Sequence, residues 1–487
     1  MKKNSIILYI VGVLLLFESA FLLLPMLVSF IYSDGNWMWY LITAVICIVL
    51  GFPLTRISPG KNLSLKEGYI IVALCWLVLS LVGALPFVMS GDIPDYIDAL
   101  FETVSGFTTT GASILSDVEV LSRSGMFWRS FMHWVGGMGV FMFMMAVLPM
   151  LGTSDMNLMK AESTGPSVER IVPHVRDTAR LMYGMYFGIT LAEIVALLIS
   201  GMDLYSSLLL TFGSVGTGGF GILNSSCGAY TSAQQTIIAF FMAASGINYT
   251  FYFFIISGKI KEAFHIEEVK YYIGIIIAST LIIAFNIGKL FDTPADAIRH
   301  SFFQVASIIT TTGYSTVDFD AWPELSRMIL LILMMIGGCS GSTAGGIKVY
   351  RIVLLMKQFK KELSVLRHPR EVKVLRMDGG TVKESVIRST NVFISIYFVI
   401  FFISLILISV ENYDFTTGFT AVSATINNIG PGLSLVGPTC NYGFFSVYSK
   451  VILIFDMLTG RLELFPVLLL LSMMKPRISH GKFGKRI

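Results

Sequence analysis

Four short segments rich in threonine, glycine or asparagine recur along this sequence, and each could present consecutive backbone carbonyls to a cation. They are Thr108-Thr109-Thr110-Gly111, Gly216-Thr217-Gly218-Gly219, Thr310-Thr311-Thr312-Gly313 and Asn428-Ile429-Gly430-Pro431-Gly432, named here repeat segments 1 to 4. Aligned on Gly111, Gly218, Gly313 and Gly430, they are spaced by 107, 95 and 117 residues, which indicates a fourfold internal repeat. Because glycine permits the backbone angles that aim carbonyls at one axis, a ring of four such segments could replace the water shell of an ion.

The repeat segments contain the candidate ion-binding residues. These are Thr109, Thr110, Gly111, Gly216, Thr217, Gly218, Thr311, Thr312, Gly313, Asn428, Ile429 and Gly430. The sequence places no ring of carboxylates beside them, and carbonyl oxygens alone favour a large, weakly hydrated monovalent cation. The competing interpretation is that these small residues only let membrane helices pack closely. Four copies, each between two apolar runs, favour ion binding.

The composition points to one class, the polytopic helical membrane proteins. Of 487 residues, 54% are hydrophobic and only 14% are charged, with a mean hydropathy of +0.74, whereas soluble proteins carry about 25% charged residues. Ten apolar runs are long enough to cross a bilayer, which takes roughly 20 residues. They lie at about 5–32, 37–55, 68–90, 126–150, 181–201, 234–257, 271–289, 326–355, 390–410 and 446–474.

The distribution of basic residues predicts the orientation of the chain. With the N-terminus placed in the cytosol, 28 of the 35 lysines and arginines fall in inner segments, and both termini lie inside. The formal net charge of +4 therefore reflects topology in the lipid bilayer. This charge is weak support for binding to nucleic acid, and no nucleic-acid partner is expected.

A segment too short to span a membrane precedes each repeat segment and is predicted to be a half-helix. These segments are roughly Pro94–Phe107, Asp203–Gly213, Pro294–Ile309 and Asp414–Ile426. Each begins near an acid, which suits a helix N-terminus because it meets unpaired N–H groups and the positive dipole end. The acids are Asp95, Asp98, Asp203, Asp292, Asp296 and Asp414. The negative end of each half-helix would point into the membrane and favour a cation there.

Ten small residues interrupt the apolar run 326–355 and are predicted to form an irregular loop that faces a cavity within the membrane. The candidate gate residues of this small-residue loop are Gly337, Gly338, Ser340, Gly341, Ser342, Thr343, Gly345 and Gly346. A glycine-rich packing face is the alternative. A phosphate-binding loop is rejected, because Lys348 comes one residue late and no strand precedes the glycines.

Ionisable residues within the predicted spans are further candidates. Arg461 lies inside the last apolar run, where a charge is costly without a partner and is functional by default. Glu463 follows two residues later and points in a different direction on a helix, so it is not expected to pair with Arg461. A purely structural ion pair is the alternative for Arg461. His133 could relay protons, but a packed, neutral histidine is favoured.

Two cysteines could form a disulfide on the predicted outer side. Cys227 and Cys440 each follow a repeat segment on the predicted outer side, and two free thiols are favoured over a disulfide.

The largest hydrophilic insert, Lys357–Arg388, could hold a small hairpin at Val372–Val382 around Asp378-Gly379-Gly380. The alternative interpretation of this insert is a solvated loop on the inner side that touches anionic lipid headgroups.

These motifs resemble the Trk/Ktr/HKT superfamily of potassium transporters. The resemblance rests on the four repeat units, the glycine in each segment, Asn428-Ile429-Gly430-Pro431-Gly432 and Gly460-Arg461-Leu462-Glu463, and it covers about residues 67–474. Two extra N-terminal spans within 5–57 resemble the TrkH branch more than the shorter KtrB branch. Plant relatives with serine in the first segment are associated with sodium, so Gly111 implies potassium. Segments 2 and 4 depart from a Thr-Thr-Gly pattern, as filters of this superfamily do.

The resemblance implies an all-α polytopic fold with four pseudo-symmetric M1–P–M2 pore repeats after two extra N-terminal helices. The expected divisions are 1–60 for those helices, 61–160, 161–262 and 263–360 for repeats 1 to 3, 361–388 for a cytosolic insert, and 389–487 for repeat 4 with a basic tail. It also implies potassium uptake across the inner (cytoplasmic) membrane, with K⁺ held by filter carbonyls and no covalent cofactor. The small-residue loop and Arg461 would gate the pore below the filter. A homodimer and a cytosolic, nucleotide-binding, TrkA-like regulatory subunit are expected.

Two other functions stay open at this point. A proton- or sodium-coupled symporter on the same fold would use His133 or Glu463 as a proton carrier. A membrane enzyme or sensor would need a catalytic constellation, and the sequence contains no paired His/Asp cluster in its spans and no soluble domain. Channel-like conduction is the favoured interpretation.

Overall fold

Helices account for nearly all of the regular structure. The structure is a computed structural model that describes residues 5–57, 65–139, 175–368 and 373–474. The helices in these ranges are α1 (Ser5–Phe21), α2 (Leu23–Tyr32), α3 (Trp37–Thr55), α4 (Leu65–Gly83), α5 (Leu85–Ser90), α6 (Tyr96–Phe107), α7 (Arg123–Gly137), α8 (Val175–Ile199), α9 (Leu204–Val215), α10 (Ser232–Ser245), α11 (Tyr249–Ile256), α12 (Ile260–Ala263), α13 (Glu267–Ile287), α14 (Pro294–Ile309), α15 (Glu324–Ile336), α16 (Val349–Arg367), α17 (Glu384–Ile408), α18 (Phe415–Ile426), α19 (Val447–Arg461) and α20 (Phe465–Met474). One hairpin joins β1 (Arg376–Met377) to β2 (Gly380–Thr381).

The long apolar helices identify a multi-pass membrane protein. Among the described residues, six helical stretches are long and apolar enough to cross a membrane, or seven if the bent pair α10–α11 is one span. The six are Ile6–Tyr32, Trp37–Thr55, Lys66–Ser90, Asp177–Ile199, Glu267–Leu290 and Glu384–Glu411. Residues 140–150 of a predicted span and the basic tail 475–487 lie outside the described residues, so the count of ten stays a prediction.

The four predicted half-helices are confirmed as α6, α9, α14 and α18, and their ends lie within two residues of the predicted ones. Three have 12 residues and α14 has 16. At 1.5 Å per residue they are about 18 to 24 Å long, which is less than the roughly 30 Å of a bilayer core. Each is therefore too short to cross a bilayer as a single straight helix.

Acidic side chains cap three of the half-helices, as predicted. Asp95, Asp203 and Asp414 each accept a backbone N–H from the first turn, at 2.8, 2.9 and 3.0 Å. The Thr417 hydroxyl also donates to Asp414. These bonds hold the pKa of the Asp414 carboxyl below its ordinary value, so the cap is charged at neutral pH.

The helix that follows a repeat segment is interrupted in more repeats than predicted. The sequence predicted an interrupted helix only in the apolar run 326–355. In repeat 2, α10 and α11 meet at 96° after Gly246. In repeat 4, α19 ends at Arg461, and Glu463 and Leu464 adopt left-handed φ values of 53° and 69°. The runs 234–257 and 446–474 are therefore not single straight helices.

Glycines bring two of these following helices into backbone contact with half-helices. A Cβ on Gly136 would collide with the carbonyl oxygen of Phe107, the last residue of α6. A Cβ on Gly460 would collide with the carbonyl oxygen of Ile426, the last residue of α18. The ends of the half-helices in repeats 1 and 4 are fixed by these contacts.

The N-terminal helices pack on repeat 1. Helices α1 and α3 cross at Gly12 and Gly51, where a Cβ on Gly12 would lie 2.8 Å from the Gly51 carbonyl oxygen. Helix α1 also packs on α4, and α2 packs on α7. The two extra N-terminal spans are thus attached to one side of the repeated unit.

The predicted hairpin is confirmed. Strand β1 pairs antiparallel with β2, and Asp378 and Gly379 form the two-residue connection. Their φ values of 52° and 76° are both positive, as a type I′ turn requires.

The cap of α14 supplies a test of local helix chemistry. Thr293 caps this helix by accepting the Asp296 N–H at 3.1 Å, so neither predicted acid is the cap, although Asp296 lies in the first turn as predicted. We expect Thr293→Ala to lower the free energy of unfolding by about 1 kcal/mol, because it removes an N-cap acceptor. The midpoint of thermal unfolding in detergent measures this, with Asp292→Ala as the matched control. Equal midpoints for the two variants would contradict the assignment of the cap.

Candidate functional site

The four repeat segments share one backbone conformation. One residue in each segment is left-handed although it is not glycine, namely Thr109 (54°), Thr217 (54°), Thr311 (58°) and Asn428 (55°). The glycine two residues later is also at positive φ, namely Gly111 (79°), Gly219 (80°), Gly313 (88°) and Gly430 (93°). Positive φ is uncommon outside glycine, so its recurrence at four equivalent places shows that the segments are copies of one backbone template.

The shared φ values correct the alignment of segment 2 by one residue. Gly219, not Gly218, occupies the position of the glycine in the other three segments, so the spacings become 108, 94 and 117 residues. Gly218 corresponds to Thr110 and Thr312. Gly216 lies before the shared stretch, as the C-cap of α9.

The same hydrogen bond fixes each segment to its half-helix. The residue before the glycine donates its backbone N–H to the carbonyl five residues earlier, at 2.8 Å in all four repeats. The pairs are Thr110 to Ser105, Gly218 to Gly213, Thr312 to Ser307, and Ile429 to Ala424. Each segment therefore continues directly from the C-terminal end of a buried helix.

The segments meet in a closed ring. A Cβ on Gly111 would collide with the carbonyl oxygen of Gly218, and one on Gly219 with that of Thr312. A Cβ on Gly313 would collide with the Ile429 carbonyl oxygen, and one on Gly430 would lie 2.8 Å from the Thr110 carbonyl oxygen. The contacts thus run from segment 1 to 2, 3, 4 and back to 1. In each case the carbonyl belongs to the residue before the next glycine.

Polar side chains stiffen the ring. The hydroxyls of Thr108 and Thr110 lie 2.8 Å apart, and those of Thr310 and Thr312 lie at the same distance. The Asn428 side-chain amide donates to the Thr110 hydroxyl at 2.9 Å, and this bond joins segment 4 to segment 1. These hydroxyl pairs occur in segments 1 and 3.

A buried ion pair that the sequence analysis did not single out ties repeat 1 to repeat 2. Glu102 in α6 accepts from Arg129 Nε at 2.5 Å, from the Ser113 hydroxyl at 2.9 Å and from the Ile114 N–H at 3.0 Å. Arg129 also donates to the Gly221 carbonyl at 2.9 Å. The signal available in the sequence was a glutamate in the middle of a half-helix predicted to enter the membrane.

His133 packs behind segment 2 with both ring nitrogens engaged. Its Nε2 accepts the Phe220 N–H at 3.2 Å, and its Nδ1 lies 2.8 Å from the Gly106 carbonyl oxygen. Since Nε2 is an acceptor, Nδ1 carries the proton and donates it to Gly106, so the ring is neutral. A Cβ on Gly218 would collide with this ring. The geometry agrees with the packed, neutral histidine that the sequence favoured.

The small-residue loop is irregular, as predicted, and it lies against the ring. Gly345 donates its N–H to the Thr311 hydroxyl at 2.7 Å. A Cβ on Gly345 would also lie 3.3 Å from the Asn428 Cβ. At its other end, the Cys339 N–H donates to the carbonyl of Gly246, at the break in repeat 2. The loop therefore contacts segments 3 and 4 as well as repeat 2.

Arg461 joins this loop to repeat 1. It is buried, with 8% of its surface exposed. Its Nη1 donates to the Thr343 carbonyl at 2.9 Å, and its Nη2 donates to the Gly137 carbonyl at 2.8 Å and to the Gly136 carbonyl. The guanidinium thus fixes the loop against the end of α7.

Charged residues at the exit of the loop make contacts that the sequence did not predict. Arg351 pairs with Glu463 at 2.5 Å and donates to the Ile347 carbonyl at 3.0 Å. Lys348 is buried, has a φ of 86° and donates its Nζ to the Ala344 carbonyl. A run of basic residues that begins directly after a glycine-rich stretch was the available signal.

All five cysteines are free thiols, as favoured for Cys227 and Cys440. Cys227 is buried and Cys440 is exposed. Cys339 is buried within the small-residue loop.

Comparison with known proteins places the chain in a family. The family model of TrkH, described as a cation transport protein, matches residues 38–290 and 276–480. The Trk system potassium uptake protein TrkH of Salmonella typhimurium is 36% identical over 475 residues, which cover 95% of this chain and 97% of that protein. TrkH of Vibrio parahaemolyticus is 35% identical, with 97% and 99% covered. The crystal structure of the potassium transporter TrkH from Vibrio parahaemolyticus matches with a TM-score of 0.86 at 32% identity, over 98% of this chain and 99% of that one. The chain therefore belongs to the TrkH family of cation transport proteins.

Proposed function

We propose that this chain takes up potassium across the cytoplasmic membrane, and that repeat segments 1 to 4 form its selectivity filter. The observation that carries the proposal is the closed ring of four segments with one backbone conformation. The relatives are named potassium uptake proteins, which supports K⁺ as the cation. Backbone carbonyls can replace the hydration shell of such an ion.

The filter residues follow the corrected register. They are Thr109, Thr110 and Gly111, Thr217, Gly218 and Gly219, Thr311, Thr312 and Gly313, and Asn428, Ile429 and Gly430. The C-terminal ends of the four half-helices meet these residues, and their negative dipole ends stabilise a cation. K⁺ is the cargo of this site and is bound there in passage.

The small-residue loop is the gate in this proposal. Non-helical backbone at membrane depth is tolerated where it lines a water-filled cavity. The bond from Gly345 to Thr311 holds the loop against the filter, and the bond from Arg461 to Thr343 holds it against repeat 1. The moving residues would be Gly337, Gly338, Ser340, Gly341, Ser342, Thr343, Gly345 and Gly346.

Channel-like conduction is the mode that we favour over ion-coupled symport. His133 uses both ring nitrogens in bonds to backbone groups. Glu463 is paired with Arg351. These two residues were the candidate proton carriers of a symporter, and their existing partners oppose that role.

The proposal extends to topology and partners. Both termini face the cytosol, because the basic residues fall in segments on that side. The membrane is the inner membrane of a bacterial-type cell, and the chain acts as a homodimer. A TrkA-like, nucleotide-binding subunit docks on the cytosolic face, which the name "Trk system" of the relatives supports.

Gly313 tests the filter. Gly313→Ser places a Cβ against the Ile429 carbonyl at a φ of 88°, with a strain of about 1–3 kcal/mol. The displaced carbonyls would no longer match the size of K⁺, and we expect the preference for K⁺ over Na⁺ to fall by about tenfold, which corresponds to about 1.4 kcal/mol in the difference between the binding free energies of the two ions. Flux of each ion into liposomes measures this. Gly274→Ser is the matched control, because a Cβ there meets open space. Equal selectivity in wild type and Gly313→Ser would refute the filter.

Arg461 tests the gate. Arg461→Gln removes both the charge and the branched donor, so we expect K⁺ flux to rise severalfold. Arg461→Lys keeps the charge but replaces the two guanidinium nitrogens that bind Thr343 and Gly137 separately with a single nitrogen. If charge alone opposes the ion, Lys will match wild type; if the bonds hold the loop, Lys will conduct like Gln. We expect the second result from the geometry. Unchanged flux in both variants would remove Arg461 from the gate.

The direction of flux tests the transport mode. A channel passes K⁺ only down its electrochemical gradient, whatever the pH difference. We therefore expect the reversal potential in a planar bilayer to follow the K⁺ gradient and to stay fixed when one unit of pH gradient is imposed. A shift of the reversal potential with the pH gradient would establish proton coupling and favour the symporter.

A further inference from the structure

Glu268 binds both ends of the small-residue loop. It lies in the first turn of α13 and is buried, with 3% of its surface exposed. Its Oε1 accepts the Ser340 N–H at 2.6 Å and the Tyr350 N–H at 3.0 Å. Ser340 lies in the first half of the loop, and Tyr350, the second residue of α16, lies four residues after Gly346, the last residue of the loop. One carboxylate oxygen therefore fixes the two ends relative to each other.

The exit of the loop is strained and needs an external contact to hold it. Lys348 has a φ of 86°, in a region that side chains other than glycine rarely adopt. Hydrogen bonds from backbone N–H groups to a carboxylate are stronger than bonds between neutral groups. Glu268 is thus suited to keep this conformation in place.

The residue before Glu268 binds the hairpin. The Glu267 N–H donates to Asp378 Oδ1 at 2.6 Å. The Glu267 carboxylate binds Lys357 Nζ, which also donates to the Arg376 carbonyl at 2.9 Å. The first N–H groups of a helix have no partner within the helix, so Asp378 acts as a cap supplied by another part of the chain. The N-cap position itself, Ile266, provides no side-chain bond.

We propose that Glu268 is a positioning residue that keeps the small-residue loop closed, and that the hairpin β1–β2 sets its position through the bond between Asp378 and Glu267. This inference rests on the gating function proposed for the loop. Glu267 and Glu268 are consecutive residues in the first turn of α13, and the first binds the hairpin while the second binds the loop. Displacement of the hairpin from α13 removes the cap, frays the first turn and withdraws Glu268 from Ser340 and Tyr350. The hairpin is thereby the route from the protein surface to the gate.

The native cysteine of the loop gives a direct readout. Cys339 is fully buried, whereas Cys440 is the exposed cysteine. In a Cys440→Ser background, a water-soluble maleimide is applied to the full chain in nanodiscs, where both faces are accessible. The rate of Cys339 modification, measured by mass spectrometry of the corresponding peptide, reports opening of the loop. This readout does not require ion flux.

Two pairs of variants test the two contacts. Glu268→Ala removes the acceptor, and we expect modification of Cys339 to accelerate by about tenfold or more, since two bonds to a charged group are lost. Glu268→Gln keeps an acceptor oxygen and should restore most of the protection. Asp378→Gly suits the left-handed φ of 52° and removes the cap, so it should accelerate modification in the same direction. Asp378→Asn keeps an acceptor and should resemble wild type.

Glu262→Ala is the control. Glu262 is exposed on the same stretch of chain and pairs with Lys259 at 3.5 Å, so its loss should leave the rate unchanged. If Cys339 in Glu268→Ala is modified at the wild-type rate, Glu268 does not keep the loop closed. Acceleration in Glu268→Ala with a wild-type rate in Asp378→Gly overturns the role of the hairpin. The exposed Asp378 site keeps the test decisive if Glu268→Ala fails to fold.

Potassium flux through the same variants separates this inference from the function on which it rests. Faster modification together with faster flux supports both. Faster modification with unchanged flux supports the control of the loop by Glu268 and overturns the gating function of the loop.

Discussion

Direct backbone contact between neighbouring repeat segments is the constraint on which the rest of the structure depends. A Cβ would not fit at these contacts, so each segment carries a glycine there. The four are Gly111, Gly219, Gly313 and Gly430. The half-helices must end a few residues before these glycines. The helices that follow the segments must also come into backbone contact with the half-helices. Gly136 and Gly460 allow this at the ends of α6 and α18.

Such close approach leaves polar backbone groups in a water-poor interior, and buried side chains satisfy them. His133 bridges repeats 1 and 2 through Gly106 and Phe220. Arg461 likewise donates to the backbone carbonyls of Gly136 and Gly137. An unsatisfied polar group is costly within a membrane. These pairs therefore form together with the ring, and they specify one arrangement of the repeats.

The sequence predicted the parts of the fold that depend on local chemistry. The half-helices were predicted to within two residues because acids and apolar runs mark their ends. The register of segment 2 was wrong, because three glycines stand close together and only the contact with Thr312 shows that Gly219 takes the positive φ. The break after Gly246 was missed although a local signal was present, since Ser245-Gly246 precedes Asn248, which is the N-cap of α11. Glu268 was missed because its partners, Ser340 and Tyr350, are 72 and 82 residues away.

The bond between Asn428 and Thr110 joins residues 318 positions apart, and it closes the ring between the last segment and the first. During synthesis, three segments are made and inserted long before the fourth exists. Until then the ring has an open side. A prematurely terminated chain thus contains three complete copies of the template but no enclosed path. Placing all four copies on one polypeptide makes translation to the final repeat a condition for closure of the ring.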